Sequence, residues 1–193
     1  MKFYFRTDEL KELETLRKQS AKTSRMAVLV GRRRVGKTSL ALEFVDNKPH
    51  VYLFVARKSE ALLCQSFIDE IQRQLKITIH GRVETFKQIF ELLIEHARTH
   101  KFVVIVDEFQ EFLKINPSIY SDLQGIWDKN KNTTEMMLIF IGSIYSLMHN
   151  IFENEKEPLF GRADRIIKIK PFTIAQVQSL LADHGINDLK RLF

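Results

Sequence analysis

Five short apolar runs recur along the chain, and each is bounded by polar residues or turn formers. Runs that are rich in β-branched and aromatic residues are typical of strands buried on both faces of a sheet. The fifth run alternates apolar and basic residues, which is typical of an edge strand. We therefore predict strands over residues 26–30, 50–56, 102–108, 136–142 and 165–170.

Between these runs, apolar residues recur at spacings of three and four, which predicts amphipathic helices. Thr7 and Thr173 are suited to N-cap the first and the last helix, and Gly185 is suited to end the last. Strands that alternate with helices form crossover units. The predicted fold class is therefore α/β, with a mainly parallel five-stranded sheet and helices on both faces.

The turn after the first strand carries the most specific motif. Residues 31–38 read GRRRVGKT and match the phosphate-loop pattern. Its glycines let backbone N–H groups converge on phosphate, and the next helix adds the positive end of its dipole. Lys37 is suited to reach the β- and γ-phosphates, and Thr38 to bind Mg²⁺. The alternative is a basic turn that binds nothing. The expected nucleotide-binding residues are Gly31, Arg32, Arg33, Arg34, Val35, Gly36, Lys37, Thr38 and Ser39.

Two carboxylates end the third predicted strand. Asp107 follows five apolar residues, and a carboxylate there is suited to hold Mg²⁺ opposite Thr38. Glu108 is the candidate general base that polarises the attacking water. The alternative is that both residues only cap the helix that follows.

Two further residues are candidates for contact with the γ-phosphate. Ser143 ends the fourth strand, where its hydroxyl is suited to sense the γ-phosphate or orient the water, or else to N-cap the next helix. Arg162 is suited to stabilise transition-state charge. The alternative for Arg162, as for Arg165, is a solvated surface pair or a salt bridge with Asp164.

Composition restricts the class of protein. Hydrophobic residues make up 45% and charged residues 28%, which is ordinary for a soluble globular chain. The apolar runs are far shorter than the ~20 residues that cross a membrane, and the N-terminus is charged too soon for a signal peptide. The single Cys64 cannot form an internal disulfide, which fits a cytoplasmic protein. None of the six histidines has partners at zinc-ligand spacing.

Net charge is +6, from 30 Lys and Arg against 24 Asp and Glu. This excess fits a polyanionic partner such as DNA, although a nucleotide pocket accounts for part of it. A protein partner and a homo-oligomer also stay open, and the sequence identifies neither.

Together these motifs resemble the archaeal-type ATPase family, a branch of the STAND group within the AAA+-related P-loop ATPases. The resemblance rests on FRTDELKEL, GRRRVGKTSL, VVIVDEFQEFL, IFIGSIYSLM, and PLFGRA followed by IKIKPF, over residues 3 to about 175. It implies a RecA-like core that binds ATP and Mg²⁺. The roles it implies are phosphate contact for Lys37, metal binding for Thr38 and Asp107, water activation for Glu108, the sensor position for Ser143 and the family arginine for Arg162.

The chain departs from the family pattern in two places. It has Phe5-Arg6-Thr7-Asp8 where the family usually carries Gly-Arg-Glu, so contact between residues 5–10 and the adenine stays open. It also ends inside the first helices of the family's lid. We therefore expect a P-loop ATPase core over residues 1–171 and the start of a truncated lid over 172–193, in a fragment or a shortened member. Three functions remain: an ATPase, a nucleotide-gated switch with negligible turnover, and a DNA-associated ATPase.

Overall fold

A five-stranded parallel sheet lies at the centre of the computed structural model, which describes residues 4–184. Every strand pair is parallel, and the spatial order is β2-β3-β4-β1-β5. The prediction of a parallel five-stranded sheet is confirmed. The strands are β1 (Arg25–Val30), β2 (His50–Phe54), β3 (Phe102–Asp107), β4 (Met136–Gly142) and β5 (Arg165–Lys168).

Helices cover both faces of the sheet, as expected. The first two helices pack on one face, and the third, fourth, sixth and seventh pack on the other. The helices are α1 (Thr7–Ser20), α2 (Lys37–Phe44), α3 (Glu60–Leu75), α4 (Phe86–His96), α5 (Phe112–Ile115), α6 (Ile119–Asn130), α7 (Tyr145–Glu153) and α8 (Ile174–Asp183), with a 3₁₀ turn at Phe109–Glu111.

The central strands are apolar except at their ends, at Arg25 and Asp107, because they have no solvent-facing side. Alternate residues of β1 enter opposite cores: Val28 joins the cluster beneath α3, α4, α6 and α7, whereas Leu29 joins the cluster beneath α1 and α2. All residues of β3 and β4 are buried. This double burial explains why strand and helix periodicities are so distinct along the sequence.

Several element ends differ from the predictions. Helix α1 begins at Thr7 itself, so Arg6 takes the N-cap position that was predicted for Thr7. Strand β2 ends at Phe54 rather than at Ala56, because the Ala56 amide turns back onto the Phe54 carbonyl oxygen (3.0 Å). Thr173 does cap α8, through a capping box with Gln176. Gly185 lies outside the described residues.

Within residues 4–184, no helix is both long enough and apolar enough to span a bilayer. The predicted division between a core and a lid at residue 171 stays a prediction. The structure describes residues 172–184 of that segment, and none of the residues of α8 is buried.

Candidate functional site

The carboxyl ends of four neighbouring strands open onto one cavity of about 700 Å³. The order β2-β3-β4-β1 places these ends side by side, since all four strands run in the same direction. Ligands of open parallel sheets bind at this edge. The cavity is lined by Arg33, Arg34, Gly36, Lys37, Thr38, Ser39, Phe54, Val55, Ala56, Arg57, Glu108, Glu111 and Ser143.

The loop between β1 and α2 needs both of its glycines. A Cβ at Gly31 would lie 2.5 Å from the backbone oxygen of Ile169, where the chain beyond β5 runs alongside. Gly36 takes the N-cap of α2 with φ of 93°, in the left-handed region that glycine favours. The loop is thereby held against the sheet, and α2 begins directly at the cavity.

The Lys37 ammonium lies inside this loop. Its side chain is 6% exposed, and Nζ donates to the carbonyl oxygens of Gly31 and Arg32, both at 2.8 Å. Burial lowers the pKa of Lys37, and the nearby Glu108 and Asp107 carboxylates oppose that shift. The ammonium is therefore held inside the loop by two of the loop's own carbonyl oxygens.

Thr38 and Asp107 meet across the gap between α2 and β3. Thr38 Oγ1 donates to Asp107 Oδ2 at 2.6 Å, and Tyr52 on β2 donates to the same oxygen at 2.9 Å. Asp107 is 3% exposed, and its Oδ1 accepts the Glu108 amide at 2.8 Å. A hydroxyl and a buried carboxylate at one point are the hard oxygen ligands that suit Mg²⁺.

No cluster of three or more His, Cys, Asp or Glu within the described residues could hold a metal by itself. Mg²⁺ commonly uses one or two protein oxygens and completes its shell with water and substrate phosphates. The Thr38–Asp107 pair beside the phosphate loop therefore fits magnesium held together with a nucleotide.

Glu108 and Ser143 are also brought together. Glu108 has φ of 56°, and its Oε2 accepts a hydrogen bond from Ser143 Oγ at 2.8 Å. The same oxygen accepts a second hydrogen bond from Gln110 Nε2. Gln110 is 1% exposed, so these two donors fix the orientation of the Glu108 carboxylate at the cavity wall.

Arg162 is not among the residues that line this cavity, and its role at the γ-phosphate stays a prediction. It precedes β5, whose first residue pairs with Ala27, so it lies near the amino ends of the strands, away from the cavity. Its Nη2 donates to Asp128 at 2.8 Å. The alternative partner Asp164 instead binds the Arg25 guanidinium at 2.8 Å.

A second cavity of about 550 Å³ lies on the other side of the phosphate loop, between α8 and the start of the described chain. Arg6, 7% exposed, crosses it: its Nη2 donates to Val35 O at 3.1 Å and to Lys170 O at 2.8 Å. The Arg6 guanidinium also lies 4.5 Å from the centre of the Phe172 ring. This partly apolar cavity adjoins the phosphate loop, and Arg33, Arg34, Gly36 and Ser39 line both cavities.

A sequence model of the family described as an ATPase domain predominantly from Archaea matches residues 3–192. The chain belongs to that family. An uncharacterized protein of Methanocaldococcus jannaschii is 32% identical over 169 residues, which cover 88% of this chain and 36% of that protein. This ATPase domain thus spans only about a third of the length of that relative.

Solved structures share the fold of this ATPase domain. The Walker-type ATPase of Pyrococcus abyssi superposes with a TM-score of 0.72 at 20% identity, over 98% of this chain and 61% of that one. Cdc6p of Pyrobaculum aerophilum gives 0.64 at 20% identity, over 93% of this chain and 49% of that one. Orc1 of Aeropyrum pernix, solved in complex with DNA, gives 0.64 at 18%, over 95% and 50%. The predicted P-loop fold class is confirmed.

Sequence reasoning missed four residues of this ATPase domain's cavity region: Tyr52, Arg57, Gln110 and Glu111. Tyr52 lies on β2 and Arg57 in the turn after it, and this strand end carries no motif in the sequence. A signal was present, because a parallel sheet brings every strand's carboxyl end to one edge. Gln110 and Glu111 gave no signal, since a buried polar residue after a strand looks like an exposed one in sequence.

Proposed function

We propose that this chain binds Mg²⁺·ATP and hydrolyses it to ADP and phosphate by in-line attack of water. The observation that carries the proposal is the meeting, around one cavity, of Lys37, the Thr38–Asp107 pair and the Glu108–Ser143 pair. Three separate segments of the chain contribute these groups, and each comes from the carboxyl end of a strand or the turn after it.

Binding is expected to use the loop and the buried ammonium. The amides at the start of α2 and the Lys37 Nζ face the phosphates, and the cavity beside Arg6 is open to the base. Thr38 Oγ1 and Asp107 would hold the metal. When bound, Mg²⁺ neutralises charge on the β- and γ-phosphate oxygens.

In the proposed hydrolysis, Glu108 is the group that accepts the proton of the attacking water. The water oxygen forms a bond to the γ-phosphorus as the bond from that phosphorus to the β–γ bridging oxygen breaks, and ADP leaves with the electron pair. Glu108 takes the proton that the water releases. Ser143 and Gln110 position the carboxylate through their hydrogen bonds to Oε2.

The test compares nucleotide binding and turnover in two variants. Lys37→Ala is expected to weaken ATP binding by about 10-fold or more, because it removes charge-assisted hydrogen bonds to phosphate. Glu108→Gln is expected to keep ATP affinity and lose hydrolysis. Lys129→Ala, an exposed lysine outside both cavities, is the matched control. Unchanged ATP affinity in Lys37→Ala would refute nucleotide binding, and normal turnover in Glu108→Gln would remove Glu108 from its role.

A second candidate function is a nucleotide-gated switch with negligible turnover. The observation that favours it is the engagement of Glu108 Oε2 by two donors, which compete with an attacking water for the carboxylate. Phosphate release from a stoichiometric amount of ATP discriminates the two candidates. An ATPase completes this single turnover within minutes, whereas a switch binds ATP and releases almost no phosphate.

Association with DNA is the third candidate. It is supported by the net charge of +6 and by exposed basic residues, including Lys22, Arg98 and Lys101, on turns at the amino ends of the strands. The expected result is binding of duplex DNA at low salt that falls steeply as salt rises, because counterions are released from the backbone. Absence of binding at low salt would dismiss this candidate.

A further inference from the structure

The turn after β2 carries an arginine, Arg57, to which the sequence assigns no role, and this arginine lines the cavity. Arg57 follows Phe54, the last residue of β2, by three positions. Its side chain is 69% exposed and lines the same cavity as Lys37 and Ser143. An exposed guanidinium at the wall of a phosphate cavity differs from one on an open surface, because a bound polyanion would lie within the same space.

The backbone ties this turn to the proposed metal site. Phe54 pairs with Asp107 in the parallel register, and the Val55 amide donates to the Asp107 carbonyl oxygen at 2.9 Å. The Lys58 amide then bonds back to the Ala56 carbonyl oxygen at 2.9 Å, which keeps the turn tight. Arg57 therefore lies two residues beyond Val55, whose amide is bonded to the last residue of β3.

A buried carboxylate holds the Arg57 side chain. Glu111 is 6% exposed, and its Oε2 accepts from Arg57 Nε at 3.0 Å, with Nη2 at 3.5 Å from Oε1. Lys114 Nζ lies 3.7 Å from the same carboxylate. Arginine carries five N–H donors. Within residues 4–184, no hydrogen bond engages Arg57 Nη1. Glu111 thus orients the guanidinium and leaves donors for a ligand.

We propose that Arg57 binds the γ-phosphate and stabilises the charge that develops on it during hydrolysis. The inference rests on the proposed function and assigns to Arg57, on the wall of the cavity opposite the phosphate loop with its Arg33 and Arg34, the role that Arg162 was expected to have. A guanidinium binds phosphate oxygens through paired hydrogen bonds. Glu111 is then a positioning residue that acts through Arg57. Because the contact is with the γ-phosphate, Arg57 distinguishes ATP from ADP.

The test measures affinity for two nucleotides, without turnover. The affinities of the slowly hydrolysed analogue ATPγS and of ADP are compared in the wild-type chain and in Arg57→Ala. The variant is expected to weaken ATPγS binding by about 10-fold or more and to leave ADP binding within about twofold, since only ATPγS carries the third phosphate. Arg57→Lys is expected to restore part of the loss, because an ammonium keeps the charge without the paired donors.

Arg73→Ala is the matched control. Arg73 is 66% exposed and, like Arg57, is paired with a glutamate, Glu70, but it lies on α3 outside both cavities. It should change neither affinity. Glu111→Gln should weaken ATPγS binding less than Arg57→Ala does and spare ADP.

Each other outcome decides against the inference in a distinguishable way. Equal losses for ATPγS and ADP in Arg57→Ala, or no loss for either, would overturn the γ-phosphate contact while nucleotide binding stands. A wild-type chain that binds neither nucleotide would overturn the proposed function, and this inference with it.

Discussion

Replacing Tyr52 by phenylalanine would test whether Asp107 holds a metal. The hydroxyl of Tyr52 donates to Asp107 Oδ2 at 2.9 Å, beside the 2.6 Å bond from Thr38. The ring packs against the core beneath α1 and α2, so phenylalanine preserves that packing and removes only the hydrogen bond. The variant therefore changes the support of the carboxylate without opening a cavity in the core.

The expected loss follows from that single hydrogen bond. A bond to a charged acceptor contributes about 1.5–3 kcal/mol, and removal of a partner that orients a metal ligand typically costs about 10–100-fold in metal affinity. We expect Tyr52→Phe to raise the Mg²⁺ concentration for half-saturation by about 10–100-fold. Affinity for ATP in the absence of Mg²⁺ should stay unchanged, because Tyr52 lies outside the residues that line the cavity.

The assay is a Mg²⁺ titration of a fluorescent ATP analogue bound to the chain, which reads metal binding directly. Tyr145→Phe is the control, since Tyr145 is an exposed tyrosine on α7 that does not line the cavity. Burial and the Asp107 carboxylate raise the pKa of Tyr52, so its hydroxyl remains a donor well into the alkaline range. An unchanged Mg²⁺ dependence in Tyr52→Phe would refute the assignment of Asp107 to the metal.

Three further variants test the packing and the site. Burial raises the pKa of the Cys64 thiol to about 12, so the folded chain keeps its proton while the unfolded thiol ionises. Between pH 8 and pH 10, the unfolding free energy of the wild type should therefore fall by about 1–2 kcal/mol more than that of Cys64→Ala. A difference between the two proteins that does not change with pH in chemical denaturation would contradict this. Arg162→Ala should leave nucleotide affinity unchanged in a binding titration, because neither Arg162 nor its partner Asp128 lines the cavity. Gly31→Ala should abolish ATP binding or lower the melting temperature by several degrees, since its Cβ would lie 2.5 Å from the oxygen of Ile169; a variant with normal binding and stability would show that the loop tolerates a shift.

Sequence patterns predicted the fold well because each central strand is buried on both sides. A run such as residues 136–142 has no polar positions, so it cannot be confused with an amphipathic helix. Element ends were less certain. Thr7 is the residue that the pattern predicts as the N-cap of α1, but Arg6 takes that position, and its guanidinium donates to the carbonyl oxygens of Val35 and Lys170. A contact over 164 positions leaves no local signal.

Some residues of the candidate site could likewise be predicted from the sequence, and others could not. Lys37, Thr38 and Asp107 could be placed because a motif or a strand end fixes each of them close to the cavity. Arg162 precedes β5, so its distance from the cavity depends on the direction of that edge strand, which the sequence pattern does not fix. The structure makes β5 parallel to β1, with Ala27 paired with Arg165, and so places Arg162 near the amino ends of the strands. Tyr52 and Arg57 could not be placed from sequence because their position at the site depends on β2 being the neighbour of β3.

The hydrogen bond between Ser143 and Glu108 constrains how the two residues can act on one nucleotide. A serine hydroxyl has a single proton to donate, and here that proton is given to Glu108 Oε2 at 2.8 Å. In the proposed reaction, Ser143 can donate its hydrogen bond to a γ-phosphate oxygen instead of to Glu108. Of its two donors, Glu108 Oε2 then keeps only Gln110. Contact with the third phosphate would then weaken the hold on the general base, whereas ADP, which lacks that phosphate, would leave the hold intact. Ser143 would thus recognise the third phosphate of ATP and, by the same change of partner, free the Glu108 carboxylate for water. The ATPase candidate and the switch candidate would then depend on the same hydrogen bond.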